Sequence, residues 1–357
     1  MTALSPIFGA CLTEALAPTP AGLVEALVLE RHGIDARAVR LASERDELFL
    51  LTAADAGRWV LRFAHPADDP AVLDMQVRAL QWIAAADPSL PVPVLHKDRE
   101  GCVARPVSVG GAPPRVTTLS SFLDGQLLSQ APRSRRQRRA LGAAIARFDT
   151  ALQGYAHRGA DHKLLWDIQR ASFLSEIVPD AMRRGQASAR PWKLVRDALS
   201  RFEAEIQPRL AGLRAQVIHG DFNPHNVMVR ADDAGIVSGI IDFGDMVRAP
   251  LVNDLAIAAC YHLDGETMES VADIVAGFHG VLPLLPVELD LFVDLMATRL
   301  CAAVTITEWR ARANPGNSPY ILKNTAVAWQ GLEYLSRMDR ALAASTLCDA
   351  CHMEQTT

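Results

Sequence analysis

Three oxygen-bearing side chains in this chain are spaced for work on a phosphate and a hard cation. The run Val217-Ile-His-Gly-Asp-Phe-Asn-Pro-His-Asn-Val-Met-Val229 carries Asp221 and, five residues on, Asn226. Gly239-Ile-Ile-Asp-Phe-Gly-Asp245 then places Asp242 on an Asp-Phe-Gly turn. Mg²⁺ takes oxygen ligands, commonly one or two carboxylates completed by phosphate oxygens and water. Asp242 supplies a carboxylate and Asn226 a neutral carbonyl oxygen. Asp221 is left to accept the proton of an attacking hydroxyl, or to orient it. Such a set suits phosphoryl transfer, in which the protein mainly positions groups and neutralises charge. Singly, the same residues are ordinary turn formers; their joint order and spacing carry the reading.

These side chains must be held at the ends of short apolar runs, and the rest of the chain supplies a scaffold in two parts. Residues 22–32 read as a helix ended by Gly33. Short apolar runs at Val39–Ala42, Glu47–Thr52, Trp59–Phe63, Cys102–Ser108 and Arg115–Ser120 read as strands, with Asp55-Ala-Gly57 as a hairpin turn. Pro70–Ala86 has helical periodicity. Beyond Phe122-Leu-Asp-Gly125 the pattern becomes helical, at about 139–153, 193–212, 266–278, 286–310 and 319–343. The chain is therefore expected to be α+β, with a β-rich N-lobe over residues 1–121 and a helical C-lobe over 122–357 that holds the motifs.

Composition narrows the partners. The 357 residues are enough for two cores, and half are hydrophobic, as in a globular protein. A net charge of −5 argues against a general nucleic-acid binder. The start has no basic segment followed by a long apolar one, and no run is apolar for long enough to span a bilayer, so a cytoplasmic protein is expected. Cys11, Cys102, Cys260, Cys301, Cys348 and Cys351 read as reduced thiols. Cys348-Asp-Ala-Cys351-His352 has the spacing of a c-type haem attachment, but with no export signal the tail reads as unused. The basic run Arg133–Arg139 reads as the solvated start of a helix.

The spacing Asp221-x-x-x-x-Asn226 and the Asp-Phe-Gly match the kinase catalytic loop and metal turn, with His-Gly-Asp in place of His-Arg-Asp. With the lobe order, they resemble the aminoglycoside phosphotransferase family of small-molecule kinases, and the protein-kinase-like two-lobe fold that goes with it. Ser43-Glu-Arg-Asp-Glu-Leu-Phe49, Trp59–Phe63, Leu141–Leu152, Leu165-Trp-Asp167 and Pro250–Ala256 resemble other parts of the family, so the likeness runs from about residue 35 to 340. Val237–Met246 resembles in particular hydroxylysine kinase and its bacterial relatives.

The resemblance implies roles. Asp221 is the expected base, braced by His219; Asn226 and Asp242 are the expected Mg²⁺ ligands; Asp254 is expected to tie the loop to the C-lobe. Ser43, Arg62, Asp74, Phe122 and Leu123 are the expected contacts to ATP or GTP, the phosphoryl donor. The phosphate-gripping Lys of the family is here Arg62, and its Glu partner is expected to be Asp74. No Gly-x-Gly-x-x-Gly loop or Walker A motif is present. The acceptor is expected to be a small amine-bearing alcohol, hydroxylysine or a related hydroxyamino acid first. Antibiotics of the aminoglycoside type, choline, ethanolamine and homoserine are the alternatives. Asp245 could face that acceptor, touch a second metal or serve only its turn. Arg299 could clamp a carboxylate or brace its helix, and Asp167, Asp245 or Glu308 could meet an ammonium group. A nucleotide-binding regulator without turnover is the alternative from another class: Arg62 and Asp74 favour it, and the intact Asp221, Asn226 and Asp242 oppose it.

Overall fold

The computed structural model describes residues 18–43, 45–178 and 189–353. Cys11 and Glu44, both named above, lie outside them. The expected α+β class holds: a β-rich N-terminal region precedes a helical C-terminal region, in keeping with a protein-kinase-like two-lobe architecture. The chain divides into two compact units, one of residues 1–124, 155–165 and 239–241, the other of 125–154, 166–238 and 242–357.

In the first unit, helix α1 (Ala21–His32) ends where Gly33 turns left-handed at φ 72°, as the sequence predicts. Strands β1 (Ala36–Leu41), β2 (Glu47–Ala53), β3 (Arg58–Phe63), β6 (Arg115–Ser121) and β4 (Leu95–His96) lie in that order in an antiparallel sheet. β5 (Ala104–Val107) also pairs with β6. Alternation buries Glu47, Phe49 and Leu51 of β2 and directs their neighbours outward. Phe49, Leu51, Leu61, Phe63 and Leu119 pack with Val24 and Val28 of α1 into one apolar core. Helix α2 (Pro70–Ala86) starts on Pro70, with Asp69 accepting the Ala71 N–H at 2.8 Å.

In the second unit, Ser134 caps helix α3 (Arg135–Ala151) by accepting the Gln137 N–H at 3.1 Å. The basic run therefore begins a helix, as read, but its charges are paired within the chain. Arg135 and Arg138 meet Asp273, and Arg136 meets Asp233. Helix α4 (Ala189–Arg201) is followed by the shorter α5 (Val252–Cys260), then α6 (Glu269–His279) and the long α7 (Pro286–Ala313). The helix expected over 319–343 is instead broken. A single turn at Ser318–Ile321 precedes α8 (Thr325–Arg337) and α9 (Arg340–Met353). α3 and α6 cross closely because Gly142 and Gly277 leave room: a Cβ on either would lie 2.0 Å from Ile274 O or 2.1 Å from Arg139 O.

Cys351 is buried on α9, where burial and then the neighbouring Cys348 push its thiol up to about 11. Among the described residues no three His, Cys, Asp or Glu cluster as a metal cage, and no helix is long and apolar enough to cross a membrane.

Candidate active site

Two short strands set the site in the second unit. β7 (Ala215–Ile218) runs straight into His219-Gly-Asp221, and β8 (Val247–Pro250) leaves the Asp-Phe-Gly-Asp turn one residue after Asp245. They pair antiparallel with Ile218 opposite Val247, so the two motif turns emerge side by side at one end. The turns touch backbone to backbone at Gly220. Its φ is 80°, and a Cβ there would lie 2.2 Å from Asp245 O. That contact is the physical reason for Gly where protein kinases carry Arg: any side chain would push the turns apart.

The loop is fastened from behind. Asp254, on α5 and fully buried, accepts the His219 N–H at 2.8 Å and the Gly220 N–H at 2.7 Å. The His219 ring is also fully buried, 4.5 Å from Phe222, 5.2 Å from Phe243 and 5.5 Å from Phe148 between ring centres. Its Nδ1 accepts the Asp221 N–H at 3.3 Å. Asp221 therefore sits on a backbone held by one buried carboxylate and one caged imidazole.

The Asp221 carboxylate is itself held at both oxygens. Oδ2 accepts from Asn226 Nδ2 at 2.8 Å and from Asn223 Nδ2 at 2.7 Å. Oδ1 accepts from Arg299 Nη2 at 2.7 Å. Asn226 thus gives its amide nitrogen to Asp221, which leaves its carbonyl oxygen as the end a hard cation could take. Asp242 is exposed and left-handed at φ 65°, a region where Asp is tolerated, and its carboxylate accepts the Gly244 N–H at 3.2 Å. Asp245 is half-buried beside Gly220.

Arg299 does not stand open on α7. Its side chain is 3% exposed, its guanidinium lies 5.0 Å over the Trp166 ring, and Nη1 donates to Trp166 O at 3.3 Å. The Tyr261 hydroxyl also bonds to it, and burial pushes that phenol up to about 12. Asp167 is likewise engaged. It caps the short turn Ile168–Phe173, accepting from the Gln169 backbone at 3.1 Å and its side chain at 2.8 Å, with Arg170 at 3.4 Å. Burial raises its pKa against those bonds. His225, in the same loop as Asp221, is shifted down by burial and then by the charge of Lys323.

The first unit corrects one expected pair. Arg62 does not meet Asp74. Arg62 Nε donates to Asp46 Oδ2 at 2.5 Å and Nη1 to Gln76 Oε1 at 3.0 Å. Asp74 instead binds Arg78, at 2.9 and 3.0 Å, and His157 Nε2 at 3.0 Å. Helix geometry is the cause. Positions 74 and 76 are two apart, about 200° around α2, so they cannot share a face. Gln76 lies in the buried stripe with Leu73, Val77, Leu80 and Ile83. A polar residue inside that stripe was the signal, and it was missed. The carboxylate comes from Asp46, in the β1–β2 connection, which also accepts the His65 N–H at 3.0 Å. Ser43 lies exposed in the same connection. Phe122 follows β6, donating its N–H to Arg58 O at 3.3 Å under the Arg58 guanidinium, with Leu123 next to it half-buried.

A clamped His-Gly-Asp loop with an Asn five residues on, paired to an Asp-Phe-Gly turn, defines a phosphotransferase of the small-molecule-kinase class. Comparison with known proteins agrees: the model of the phosphotransferase enzyme family matches residues 37–291, and the chain belongs to that family. It is similar to hydroxylysine kinase of Mus musculus, 24% identical over 302 residues that cover 80% of this chain and 79% of the relative. It is similar also to homoserine kinase of Caulobacter sp. (strain K31), 31% identical over 252 residues, 68% of this chain and 71% of the relative. Among solved structures, an amicoumacin kinase in complex with AMP-PNP superposes with a TM-score of 0.67 at 12% identity, covering 90% of this chain and 96% of the other.

Proposed function

We propose that this phosphotransferase moves the γ-phosphoryl group of ATP or GTP to the hydroxyl of a small hydroxyamino acid, with hydroxylysine as the first substrate to test. The observation that carries the reading is Asp221, fixed through both oxygens on a loop whose backbone is clamped from behind. The acceptor hydroxyl oxygen attacks the γ-phosphorus, the bond to the β,γ-bridging oxygen breaks, and a nucleoside diphosphate leaves. Asp221 accepts the hydroxyl proton, and His219 and Asp254 hold it in place. Arg299 orients the Asp221 carboxylate from Oδ1, while Asn223 and Asn226 hold Oδ2. Asn226 and Asp242 fit Mg²⁺, which keeps water and phosphate oxygens as ligands and needs few protein groups. When bound, the ion neutralises charge on the phosphates. In the first unit, residues 1–121 serve as the nucleotide lobe, with Arg62 on the phosphates, Ser43 capping them and Phe122–Leu123 beside the base.

Two relatives support the acceptor class. Hydroxylysine and homoserine share a hydroxyl, an ammonium and a carboxylate, whereas choline and aminoglycosides lack the carboxylate. Asp245, at the meeting of the two turns, is the carboxylate assigned to the ammonium group. Asp167 is engaged as a cap and is left with that role. The cytoplasm is the proposed compartment.

A coupled assay on hydroxylysine, homoserine, choline, ethanolamine and an aminoglycoside, each with ATP and GTP, tests the reading. Turnover is expected on the two amino acids above the rest. Preferential turnover of choline or the antibiotic would replace the substrate assignment. Nucleotide binding with no turnover on any acceptor would favour a regulator, the reading that Arg62 and Gln76, standing where kinases carry Lys and Glu, would support.

A further inference from the structure

Behind the catalytic loop lies an acid that none of the roles above uses. Asp149 sits near the end of α3, fully buried. Among the described residues, no N–H or hydroxyl group is directed at either of its carboxyl oxygens. The Gln216 side chain, close by, donates instead to the Asp149 backbone carbonyl at 2.7 Å. What faces the Asp149 side chain is the carboxyl group of Asp254, in hydrogen-bonding contact. Two carboxylates cannot form that contact, because neither carries a donor. One proton between them supplies it, and two buried like charges at contact distance cannot both ionise.

We propose that Asp149 is a neutral carboxylic acid that donates its O–H to the Asp254 carboxylate, making it a positioning residue for the catalytic loop. Asp254 already accepts two amides, from His219 and Gly220, and the Asp149 proton adds a third bond to it. Burial, followed by the opposing carboxyl group, raises the pKa of Asp149. Burial also raises that of Asp254, against the two amide bonds. Arg214 is a cation that acts on Asp149, but its guanidinium is held by Glu288 at 2.6 and 2.8 Å. Glu288 from α7 and Asp221 from the loop both add negative charge. The caged His219 contributes its backbone amide.

The direction with pH follows. Folding raises both acids above their unfolded values, so the stabilisation from the shared proton is complete at low pH. It is lost as pH rises through the folded-state values. Losing the proton would put two charges behind the loop and release its amides.

The test compares Asp149→Asn, Asp149→Ala and wild type across pH, by kcat, KM and thermal unfolding. Its activity arm rests on the phosphotransferase reading; its unfolding arm does not. The Asn amide still donates to Asp254 but cannot ionise, so D149N should keep kcat within about twofold of wild type at neutral pH. D149A leaves the charged acceptor unmatched and should lower kcat by about tenfold or more, with KM little changed. Wild-type Tm, relative to that of D149N, should fall as pH rises. Parallel Tm–pH curves for wild type and D149N would overturn the shared proton. So would a D149N enzyme as impaired as D149A. If D149A does not fold, the comparison of wild type with D149N decides alone.

Discussion

The two units grip their key side chains in opposite ways. In the second, Asp221 stands on a loop fixed by buried groups: Asp254 on two amides, a caged His219, and Arg299 on the carboxylate itself. In the first, Arg62 is 24% exposed and its partners are a carboxylate from a strand connection and a neutral amide from a helix. Buried groups around a backbone turn tolerate little change, because each unsatisfied donor or acceptor costs the full desolvation penalty. A partly exposed ion pair is screened and replaceable. The motif letters of the second unit match the kinase pattern, whereas the first unit carries Arg62 with Gln76 and Asp46 as its partners.

The contrast can be broken most directly at Asp221. D221N should lower kcat by about 10²–10⁴-fold while nucleotide binding, followed by titration calorimetry, persists. Turnover near wild type would remove the base assignment. Gly220→Ala comes next. The positive φ and the approach to Asp245 O together should destabilise by about 2–3 kcal/mol, seen as a drop in Tm, because both the backbone and the neighbouring turn must shift. An unchanged Tm would show the two turns to be less tightly joined than they stand. Arg299→Lys keeps the charge but loses the fork, and should lower kcat more than it raises the acceptor KM. A rise in KM alone would return Arg299 to the acceptor. Smallest should be Asp46→Asn, at about 1 kcal/mol or less of stability, with a modest rise in nucleotide KM. If D46N abolishes turnover, the first unit is as intolerant as the second and the comparison fails.

Much of the fold was legible because local rules and burial agree. Gly33 ends a helix, Asp55-Ala-Gly57 turns a hairpin, and alternation marks β2 and β3. The long pattern over 319–343 reads as one helix, since periodicity alone does not record where a chain must turn to pack. Motif spacing points to Asp74 as the Arg62 partner, but about 100° of turn per residue sets Asp74 and Gln76 on different faces of α2, and it is Gln76 that meets Arg62. Arg299 was legible as a residue to watch, but its target was not.

By itself the sequence determined the chemistry. Asp221, Asn226 and Asp242 stand out as the proposed base and Mg²⁺ ligands by residue type and by spacing along a few residues, which strand–turn–strand geometry fixes locally. Only the tertiary structure decided what surrounds them: that Gly220 meets Asp245 O, that Arg299 reaches Asp221 across 78 positions, that Asp149 faces Asp254, and that Arg62 chooses Asp46. Those contacts join residues far apart in the chain. Their partners are set by how helices cross and strands register, and no short stretch of sequence encodes that.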